Sequence, residues 1–432
     1  MSMYAVVDCD NCYVSCERVF RPDLEGRMVV VLSNNDGCVV ARSNEAKRFG
    51  IKAGMPYFKA KELAGGADMV VFSSNYELYG EITARVMAII ADESPEYIRY
   101  SIDEAFCIFK GDKEIDFKQW GEHLHCRIKQ STGMPVSVGI GPTKTIAKMA
   151  SHFAKKYLAY KHCCVIDNDE KRLKALSLYP LEEVWGIGRR NAERFRQVGD
   201  VTALDVSHHA KDWIRATFNV VMLRTWSELN GIDCIPDEKA AAKKQIMTSR
   251  SFSSMVTDFA NLNTNVANYA ALCAEKLRHQ HSVAAVVGVF IQTNSFRTDL
   301  PQYSNYTEHR LLTPSSSTLT IVQTARQCLN DIFREGFHYK KAGVMVQEIT
   351  AASSVQTNLI DYNAEEYQRQ TRINEVIDRI NRINGTETVI LGSQQYTAPK
   401  GQGHATSFTD AIRHDLRSSN PTTRWTDIIK LK

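Results

Sequence analysis

Three stretches in the N-terminal third of the chain have the residue pattern of strands buried in a sheet. The run from Met3 to Val7 is continuously apolar, as in a strand covered on both faces, and it ends at Asp8. The stretch Tyr97–Phe109 is rich in β-branched and aromatic residues, which predicts extended backbone, although a tight hairpin with an acidic turn fits the same residues. Pro135–Gly141 predicts a third strand of this sheet.

Short apolar runs and Gly-rich turns between Pro22 and Gly66 predict a small compact unit after the first strand. Within it, Val39–Arg42 has the pattern of a strand. The residues Ser43–Phe49 predict a helix that begins at a Ser or Asn N-cap.

The C-terminal half of the chain alternates strand and helix patterns after a charged, Ala-rich tether, Pro236–Lys244. The predicted order is strand, helix, strand, strand, helix and strand, near Ile246–Phe252, Asn265–His281, Ala284–Thr293, Thr307–Leu312, Leu319–Arg334 and Ala342–Ile349. This βαββαβ order is that of the split βαβ, or ferredoxin-like, arrangement.

A further amphipathic helix is predicted near the C-terminus, with Gly385 as its stop signal. Its apolar stripe needs a surface to pack on and consists of Ile373, Val376, Ile377, Ile380 and Ile383.

Composition limits the class of protein. A chain of 432 residues exceeds what one core usually supports, so about two to four domains are expected. No apolar run reaches the length of about 18 residues that a membrane span needs, and no signal-peptide pattern is present, so we expect a cytoplasmic protein with no membrane contact. Eleven cysteines in such a chain indicate reduced thiols, and Cys9, Cys12 and Cys16 are expected to be core residues.

The candidate chemistry centres on three carboxylates, those of Asp8, Asp103 and Glu104. Asp103 and Glu104 interrupt an apolar run, and burying two neighbouring anions is costly unless a cation compensates them. If Asp8 lies beside them on a neighbouring strand, the three oxygen ligands suit two Mg²⁺ ions better than Zn²⁺. Two ions about 3.5–4 Å apart promote in-line displacement at phosphorus, so these residues indicate phosphoryl or nucleotidyl transfer.

A lysine stripe follows the third predicted strand. Thr143 is a candidate N-cap for a helix in which Lys144, Lys148 and Lys155 lie within about 40° of one another. Such a stripe is usually a solvated face, but beside a catalytic sheet it would neutralise a triphosphate or a template.

The segment Trp185–Arg190, with Arg194 and Arg196 after it, has the pattern of a helix-hairpin-helix turn. Gly186 and Gly188 would let backbone N–H groups approach a phosphate closely, without reading bases. A plain connector between helices is the competing interpretation. The net charge of +4 is mild, so contacts with nucleic acid must depend on local basic clusters of this kind.

Several of these motifs together resemble the Y-family, or translesion, DNA polymerases, and above all the UmuC type, which is the catalytic subunit of bacterial DNA polymerase V. The likeness rests on Asp8, Ser101–Glu104 and Ser33–Cys38, and it covers nearly the whole chain. Longer segments agree as well, namely Ser73–Tyr79, Trp185–Arg190 and Tyr339–Met345.

The resemblance implies an α+β multidomain fold with right-hand polymerase architecture and a ferredoxin-like βαββαβ little finger. The implied domains are the palm (1–22 and 67–166), the fingers (23–66), a thumb with a helix-hairpin-helix (167–235), a linker (236–245), the little finger (246–350) and a UmuC-type tail (351–432).

Roles for individual residues also follow from the resemblance. Tyr13 matches the steric gate that excludes a 2′-hydroxyl, although an ordinary core aromatic is the alternative. Lys47 and Lys155 match triphosphate-binding positions, whereas Asn44 stands where many relatives have Tyr. The implied DNA-backbone contacts are Gly186, Gly188, Arg189, Arg190, Arg250, Lys340 and Lys341.

The implied activity is error-prone, template-directed DNA synthesis in the SOS response to DNA damage, with primer-template DNA and dNTPs as substrates and two Mg²⁺ ions as cofactors. Implied protein partners are a processed UmuD-type dimer, RecA and a sliding clamp, the last through Gln356, Leu359 and Ile360 in a degenerate clamp-binding pentapeptide. The stripe from Ile373 to Ile383 or the basic tail is expected to contribute to the UmuD and RecA contacts.

Two other functions remain open from the sequence. A palm-domain nucleotidyl cyclase would use the same carboxylates but would not need a DNA-gripping thumb and C-terminal domain. A DNA-bound scaffold without catalysis would not need Asp8, Asp103 and Glu104.

Overall fold

The computed structural model describes residues 2–111, 115–237, 242–354, 363–385, 388–395 and 415–428. They form two compact units. The first comprises Met1–Lys239 and His414–Lys432, and the second comprises Ala240–Arg413. The boundary falls inside the segment 236–245 that the sequence predicts to be a linker.

The first unit combines two sheets with surrounding helices. Its strands are β1 (Met3–Cys9), β2 (Met28–Leu32), β3 (Val39–Arg42), β4 (Met69–Ser73), β5 (Glu96–Arg99), β6 (Glu104–Phe109), β7 (Val136–Gly141) and β8 (Cys163–Val165). Its α-helices are α1 (Cys12–Phe20), α2 (Asn44–Arg48), α3 (Tyr57–Ala64), α4 (Tyr76–Asp92), α5 (Phe117–Thr132), α6 (Lys144–Lys156), α7 (Asp169–Leu178), α8 (Arg189–Gln197), α9 (Ala203–His208), α10 (Lys211–Thr217) and α11 (Val220–Leu229).

The larger sheet has the order β5-β6-β1-β7-β8, so β1 lies at its centre and pairs antiparallel with β6 and β7. The continuous apolar run of β1 is explained by this position, because residues on both of its faces are buried. The predicted strands at the start of the chain and at Pro135–Gly141 are thus confirmed.

The stretch Tyr97–Phe109 is not one extended strand. β5 ends at Arg99 and β6 begins at Glu104, and the backbone N–H groups of Tyr100 and Ser101 both donate to the carbonyl of Glu104, each at 3.0 Å. The polar residues between the strands form a turn, and β5 then pairs antiparallel with β6. The prediction of continuous extended backbone was wrong here, and the acidic hairpin is correct.

The smaller sheet has the order β3-β2-β4 and includes Met69–Ser73, so it extends beyond residue 66. The predicted strand at Val39–Arg42 and the helix after Ser43 are confirmed, since the Ser43 hydroxyl accepts a hydrogen bond from the N–H of Ala46.

The second unit has the predicted βαββαβ order. Its elements are β9 (Ile246–Val256), α12 (Phe259–His279), β10 (Ser282–Thr293), β11 (Ser304–Ser315), α13 (Thr318–Ile332), β12 (Tyr339–Ala351) and a final helix α14 (Ala364–Asn384). The sheet is antiparallel with the order β11-β10-β12-β9. In both βαβ units another strand lies between the two that the helix connects, which is the split arrangement.

The last helix, α14, contacts the rest of the second unit through polar side chains. Asp378 forms a two-point ion pair with Arg278 at 2.6 and 2.7 Å, and Asn374 is 95% buried. The side chains of Ile373, Val376 and Ile383 in the stripe are exposed. Charge-assisted hydrogen bonds at this edge orient the helix.

All eleven cysteines are free, and Cys9, Cys12 and Cys16 are buried, which confirms that they are core thiols. In the part of the chain that the structure describes, no helix combines the length and the apolar character that a membrane span requires.

Candidate active site

The three acidic residues lie close together: Asp8 on β1, Glu104 at the start of β6, and Asp103 in the turn directly before it. Asp8 is directly opposite Glu104 in the register of the two strands. One residue away, the backbone N–H of Cys9 donates to the carbonyl of Asp103 at 2.9 Å. The main-chain pairing therefore brings all three carboxylates to one end of the central strand pair.

Two lysines of α6 reach this end of the sheet. The Nζ of Lys155 is 2.5 Å from Oδ1 of Asp8, and the Nζ of Lys148 is 2.7 Å from Oε1 of Glu104. Thr143 caps α6 through its hydroxyl, as its sequence position predicts. Two of the three lysines of the stripe therefore face the carboxylates rather than solvent.

The third lysine of the stripe, Lys144, has another role. Its side chain is 4% exposed, and its amine donates to the carbonyl of Ile235 and to Asp237. These bonds connect α6 to the end of the helical region that follows.

Each of the three carboxylates contacts a different hydrogen-bond donor. Asp103 accepts a hydrogen bond from the hydroxyl of Ser101 at 2.6 Å, while Asp8 and Glu104 pair with the two lysines. Among the described residues, no three His, Cys, Asp or Glu side chains are grouped as ligands of one ion. The backbone places the three acids as the sequence predicts, but their oxygens do not form a shared ligand set in this arrangement.

The carboxyl group of Glu104 is largely buried. Burial raises the pKa of this carboxyl above its ordinary value and Asp8 adds to the effect, whereas Lys148 opposes it. The ion pair with Lys148 thus stabilises the ionised form of this buried carboxyl group.

Asp10 is a fourth acid of this site that the sequence analysis did not single out. Both of its oxygens accept a hydrogen bond from the hydroxyl of Ser137 at 2.9 Å, and Lys155 lies 3.7 Å away. The pKa of Asp10 is raised overall by burial, although the charge of Lys155 and the hydrogen bond from Ser137 oppose this effect. Its position two residues after Asp8 was the available signal.

Lys148 also contacts Trp185, in the segment before α8. Its amine lies over the rings of Tyr100 and Trp185, at 4.4 and 5.0 Å from their centroids. The indole N–H of Trp185 donates to the hydroxyl of Tyr100 at 3.3 Å. Trp185 is the first residue of the segment Trp185–Arg190, so this cluster connects that segment to Glu104.

Tyr13 belongs to a cluster of three aromatic rings at the start of α1 and α4. Its ring stacks on Tyr79 with centroids 4.6 Å apart, and the edge of Tyr76 lies 5.7 Å away. Burial raises the pKa of Tyr13 to about 12, so the phenol remains neutral.

Lys47 extends from α2, and its amine donates to the side-chain carbonyl of Asn11 at 2.6 Å. Burial lowers its pKa, and the nearby cations Arg42 and Lys155 lower it further. The Nε of Arg42 is buried without a hydrogen-bond partner. These three cations form a group beside Asp8 and Asp10, and Arg42 was not predicted from the sequence.

The glycine hairpin, Trp185–Arg190, precedes α8. Gly186 has a φ of +95°, and Gly188 is the N-cap of α8, whose first residues are Arg189 and Arg190. The side chain of Arg189 is 92% exposed and pairs with Glu193 within its own helix. The first backbone N–H groups of α8 therefore directly follow Gly188.

The basic residues of the second unit are engaged locally. Lys340 donates to the backbone carbonyls of Phe252 and Ser253, and Lys341 lies 5.6 Å from the ring centroid of Phe290. Arg250 lies on the edge strand β9, opposite Ala342. Gln356, Leu359 and Ile360 lie outside the described residues.

Comparison with protein-family models gives matches along most of the chain. Residues 7–152 match the impB/mucB/samB family, and residues 243–359 match the C-terminal domain of that family. Residues 371–431 match a domain of unknown function.

The chain is also similar to named proteins. It is 41% identical to the protein UmuC of Salmonella typhimurium over 433 residues, which cover 100% of both chains. It is 29% identical to DNA polymerase IV of Methanosarcina acetivorans over 375 residues, which cover 82% of this chain and 98% of that protein.

A solved chimera of the Y-family DNA polymerases Dbh and Dpo4 has the same fold, with a TM-score of 0.61 at 20% identity. The match covers 81% of this chain and 99% of the chimera. On these findings the chain belongs to the UmuC-type, impB/mucB/samB family of Y-family polymerases, and it is a DNA-directed DNA polymerase of translesion synthesis.

Proposed function

We propose that the chain joins deoxynucleotides to a primer by two-metal nucleotidyl transfer at Asp8, Asp103 and Glu104. The observation that carries this proposal is the register of β1 and β6, which sets Asp8 opposite Glu104 and next to Asp103. Carboxylates on paired strands keep their spacing while a substrate binds, because the sheet fixes their backbone.

The residues present fit a divalent ion. All three are hard oxygen donors, which Mg²⁺ prefers, and the cations that now pair with two of them sit on long, movable lysine side chains. Bound there, two Mg²⁺ ions would lower the pKa of the primer hydroxyl and stabilise charge on the α-phosphate.

The lysines act on the triphosphate in this proposal. Lys155 exchanges Asp8 for phosphate oxygens, and Lys47 of α2, whose amine now donates to Asn11, supplies a second cation. Phosphate carries more negative charge than one carboxylate, so the exchange is favourable. Arg42 adds a third cation to this group.

Tyr13 selects the sugar in this proposal. Its ring is held by stacking on Tyr79, so it cannot turn away from a nucleotide without losing that contact. A 2′-hydroxyl would meet the ring, whereas a 2′-hydrogen would not.

DNA is gripped through its backbone. In the first unit the glycine hairpin supplies backbone N–H groups, with Arg189 and Arg190 beside them. In the second unit Arg250, Lys340 and Lys341 lie on the neighbouring strands β9 and β12. Such contacts do not depend on base sequence, as copying any template requires.

We further propose that the UmuD-type dimer, RecA and the sliding clamp are partners. The exposed Ile373, Val376 and Ile383 of α14 offer an apolar surface for the first two. The clamp contact is assigned to Gln356, Leu359 and Ile360 on the pentapeptide pattern alone.

The test is primer extension on a defined template with dNTPs, with Mg²⁺ present or removed by a chelator. We expect synthesis that follows the template and stops when the metal is removed. Cyclic product from NTPs without DNA would instead support a cyclase, and metal-independent extension would contradict the ligand assignment.

A further inference from the structure

The residues 415–428, here called the C-terminal segment, lie against the first unit although they follow the second unit in the chain. The backbone N–H of Ser73 at the end of β4 donates to the carbonyl of Leu416 at 3.1 Å, and the N–H of Leu416 donates to the hydroxyl of Ser73 at 2.9 Å. The segment thus docks at the junction between β4 and α4.

Asn75 is the centre of this contact. It is the N-cap of α4 and is fully buried, and its amide donates to the hydroxyl of Ser418 at 3.0 Å and to the side chain of Asn420 at 2.6 Å. Its carbonyl oxygen accepts from the guanidinium of Arg417 at 2.9 Å. A cap whose side chain is itself held by these three bonds fixes the start of the helix.

Acidic residues of α4 hold the other side of the segment. Glu77 accepts from Arg417 at 2.8 Å and from the amide of Asn420 at 2.6 Å, and Glu81 accepts from the hydroxyl of Thr422. Asn420 is 2% exposed. Buried polar groups with this many partners define one docked position, because every alternative leaves some of them unpaired.

The segment also reaches α1, the helix that carries Tyr13. The hydroxyl of Ser418 donates to Oε1 of Glu17 at 2.9 Å, and the hydroxyl of Tyr79 donates to the same oxygen at 2.6 Å. Glu17 is one helical turn after Tyr13, and the ring of Tyr79 is the one on which Tyr13 stacks. Contacts through Glu17 and Tyr79 thus connect Ser418 to the ring of Tyr13.

We propose that the C-terminal segment is a brace for the sugar-selecting tyrosine, in which Ser418 and Asn420 are positioning residues. They hold Glu17 and the start of α4, and these in turn hold Tyr79 and Tyr13 against the incoming nucleotide. The inference rests on the proposed role of Tyr13 as the steric gate. It gives residues near the end of the chain an effect on substrate choice, because small displacements of a positioning group have large effects on reactivity.

The test is single-nucleotide insertion by the full chain, opposite template dG, with dCTP and with CTP. The double variant Ser418→Ala with Asn420→Ala is compared with Ser419→Ala, a neighbouring serine whose side chain is exposed and whose backbone carbonyl alone faces Asn75. Ser418→Thr, which keeps the hydroxyl, is the conservative variant, and Tyr13→Ala tests the gate itself.

We expect the double variant to lower the ratio of kcat/KM for dCTP over CTP by about threefold to tenfold, mainly through faster CTP insertion, which corresponds to the loss of one or two net hydrogen bonds. Ser419→Ala and Ser418→Thr should match the parent chain. Tyr13→Ala should lower the ratio at least as far as the double variant.

Hydrogen exchange gives an independent readout on the same proteins. Amides of the first turn of α4, which include Leu78 and Tyr79, should exchange faster in the double variant and in Ser418→Ala, and at the parent rate in Ser419→Ala.

Two results would overturn the inference in different ways. If Tyr13→Ala relaxes sugar selection but the double variant selects like the parent, the brace is wrong and the gate stands. If Tyr13→Ala leaves selection unchanged, the gate assignment fails and the brace fails with it.

Discussion

Asp8 and Glu104 stand directly opposite each other on two antiparallel strands, and each is paired with a different lysine of the same helix. The register of the sheet, rather than any side-chain contact, brings the two acids together. A slip of one residue in the pairing of β6 would turn Glu104 to the other face of the sheet, so the register with β1 fixes the site.

Lys155 is expected to bind the triphosphate. Lys155→Ala should lower kcat/KM for dNTPs by about tenfold to a hundredfold, since a hydrogen bond to a charged group is worth about 1.5–3 kcal/mol. The matched control is Lys156→Ala, because this next residue points its amine over Tyr157 instead. Steady-state insertion kinetics measure both. Equal losses in the two variants would contradict a specific role for Lys155.

The glycine hairpin offers a matched pair of substitutions. A Cβ on Gly186 would lie 2.3 Å from Oγ1 of Thr225, and its φ of +95° disfavours other residues, whereas Gly188 has a φ of −79° and open space around it. Gly186→Ala should lower unfolding free energy by about 1–3 kcal/mol and weaken DNA binding. Gly188→Ala should fold like the parent. Thermal unfolding of both variants checks the stability, and fluorescence anisotropy of Gly186→Ala with labelled primer-template checks the DNA affinity. Equal melting temperatures of the two variants would argue against the hairpin geometry.

Glu17 should make stability depend on pH. Burial raises the pKa of Glu17, although hydrogen bonds from Tyr79 and Ser418 lower it. The folded chain thus binds this proton more firmly than the unfolded chain. That contribution is complete below the ordinary carboxyl pKa and is lost as pH rises through the raised value.

Glu17→Gln keeps an acceptor oxygen and removes this titration. The melting temperature of the variant minus that of the parent should therefore be greater at about pH 7.5 than at about pH 4.5, because only the parent loses stability as this carboxyl ionises. Glu25→Gln, whose parent side chain is 64% exposed, is the control. A difference that does not change with pH would show that Glu17 titrates normally.

The proposed clamp contact predicts a selective loss of stimulation. Gln356→Ala with Leu359→Ala should reduce synthesis stimulated by a sliding clamp and leave extension of short primers without the clamp unchanged. Such motifs bind through a few anchor side chains, so losing two of them should remove most of the stimulation. Equal stimulation of variant and parent would mean that these residues are only a linker.

Much of the fold could be predicted because local patterns and burial agree. The strand ending at Asp8, the helix capped by Thr143 and the βαββαβ order were all visible as periodicities. The turn between β5 and β6 was only one of two interpretations, because strand-forming residues such as Tyr100 and Ile102 continue through it.

The partners of individual side chains could not be predicted in the same way. Lys155 was visible as part of a stripe, but its pairing with Asp8 depends on how α6 packs across the sheet. The contact between Asn75 and Asn420 joins polar residues 345 positions apart, with no periodic signal in either segment. Such contacts follow from the tertiary fold and not from local pattern.

Asp8 and Asp103 are proposed to hold the metal ions of nucleotidyl transfer. Primer extension by the variants Asp8→Asn and Asp103→Asn, with the DNA affinity of each variant measured in parallel, tests this role. Asp92→Asn, an aspartate with a side chain 71% exposed at the far end of α4, serves as the control. We expect no extension by either site variant and full extension by the control. DNA affinity should stay within about twofold of the parent for all three, because the proposed phosphate contacts lie elsewhere. Sustained synthesis by Asp8→Asn or Asp103→Asn would contradict the assignment of these residues as metal ligands.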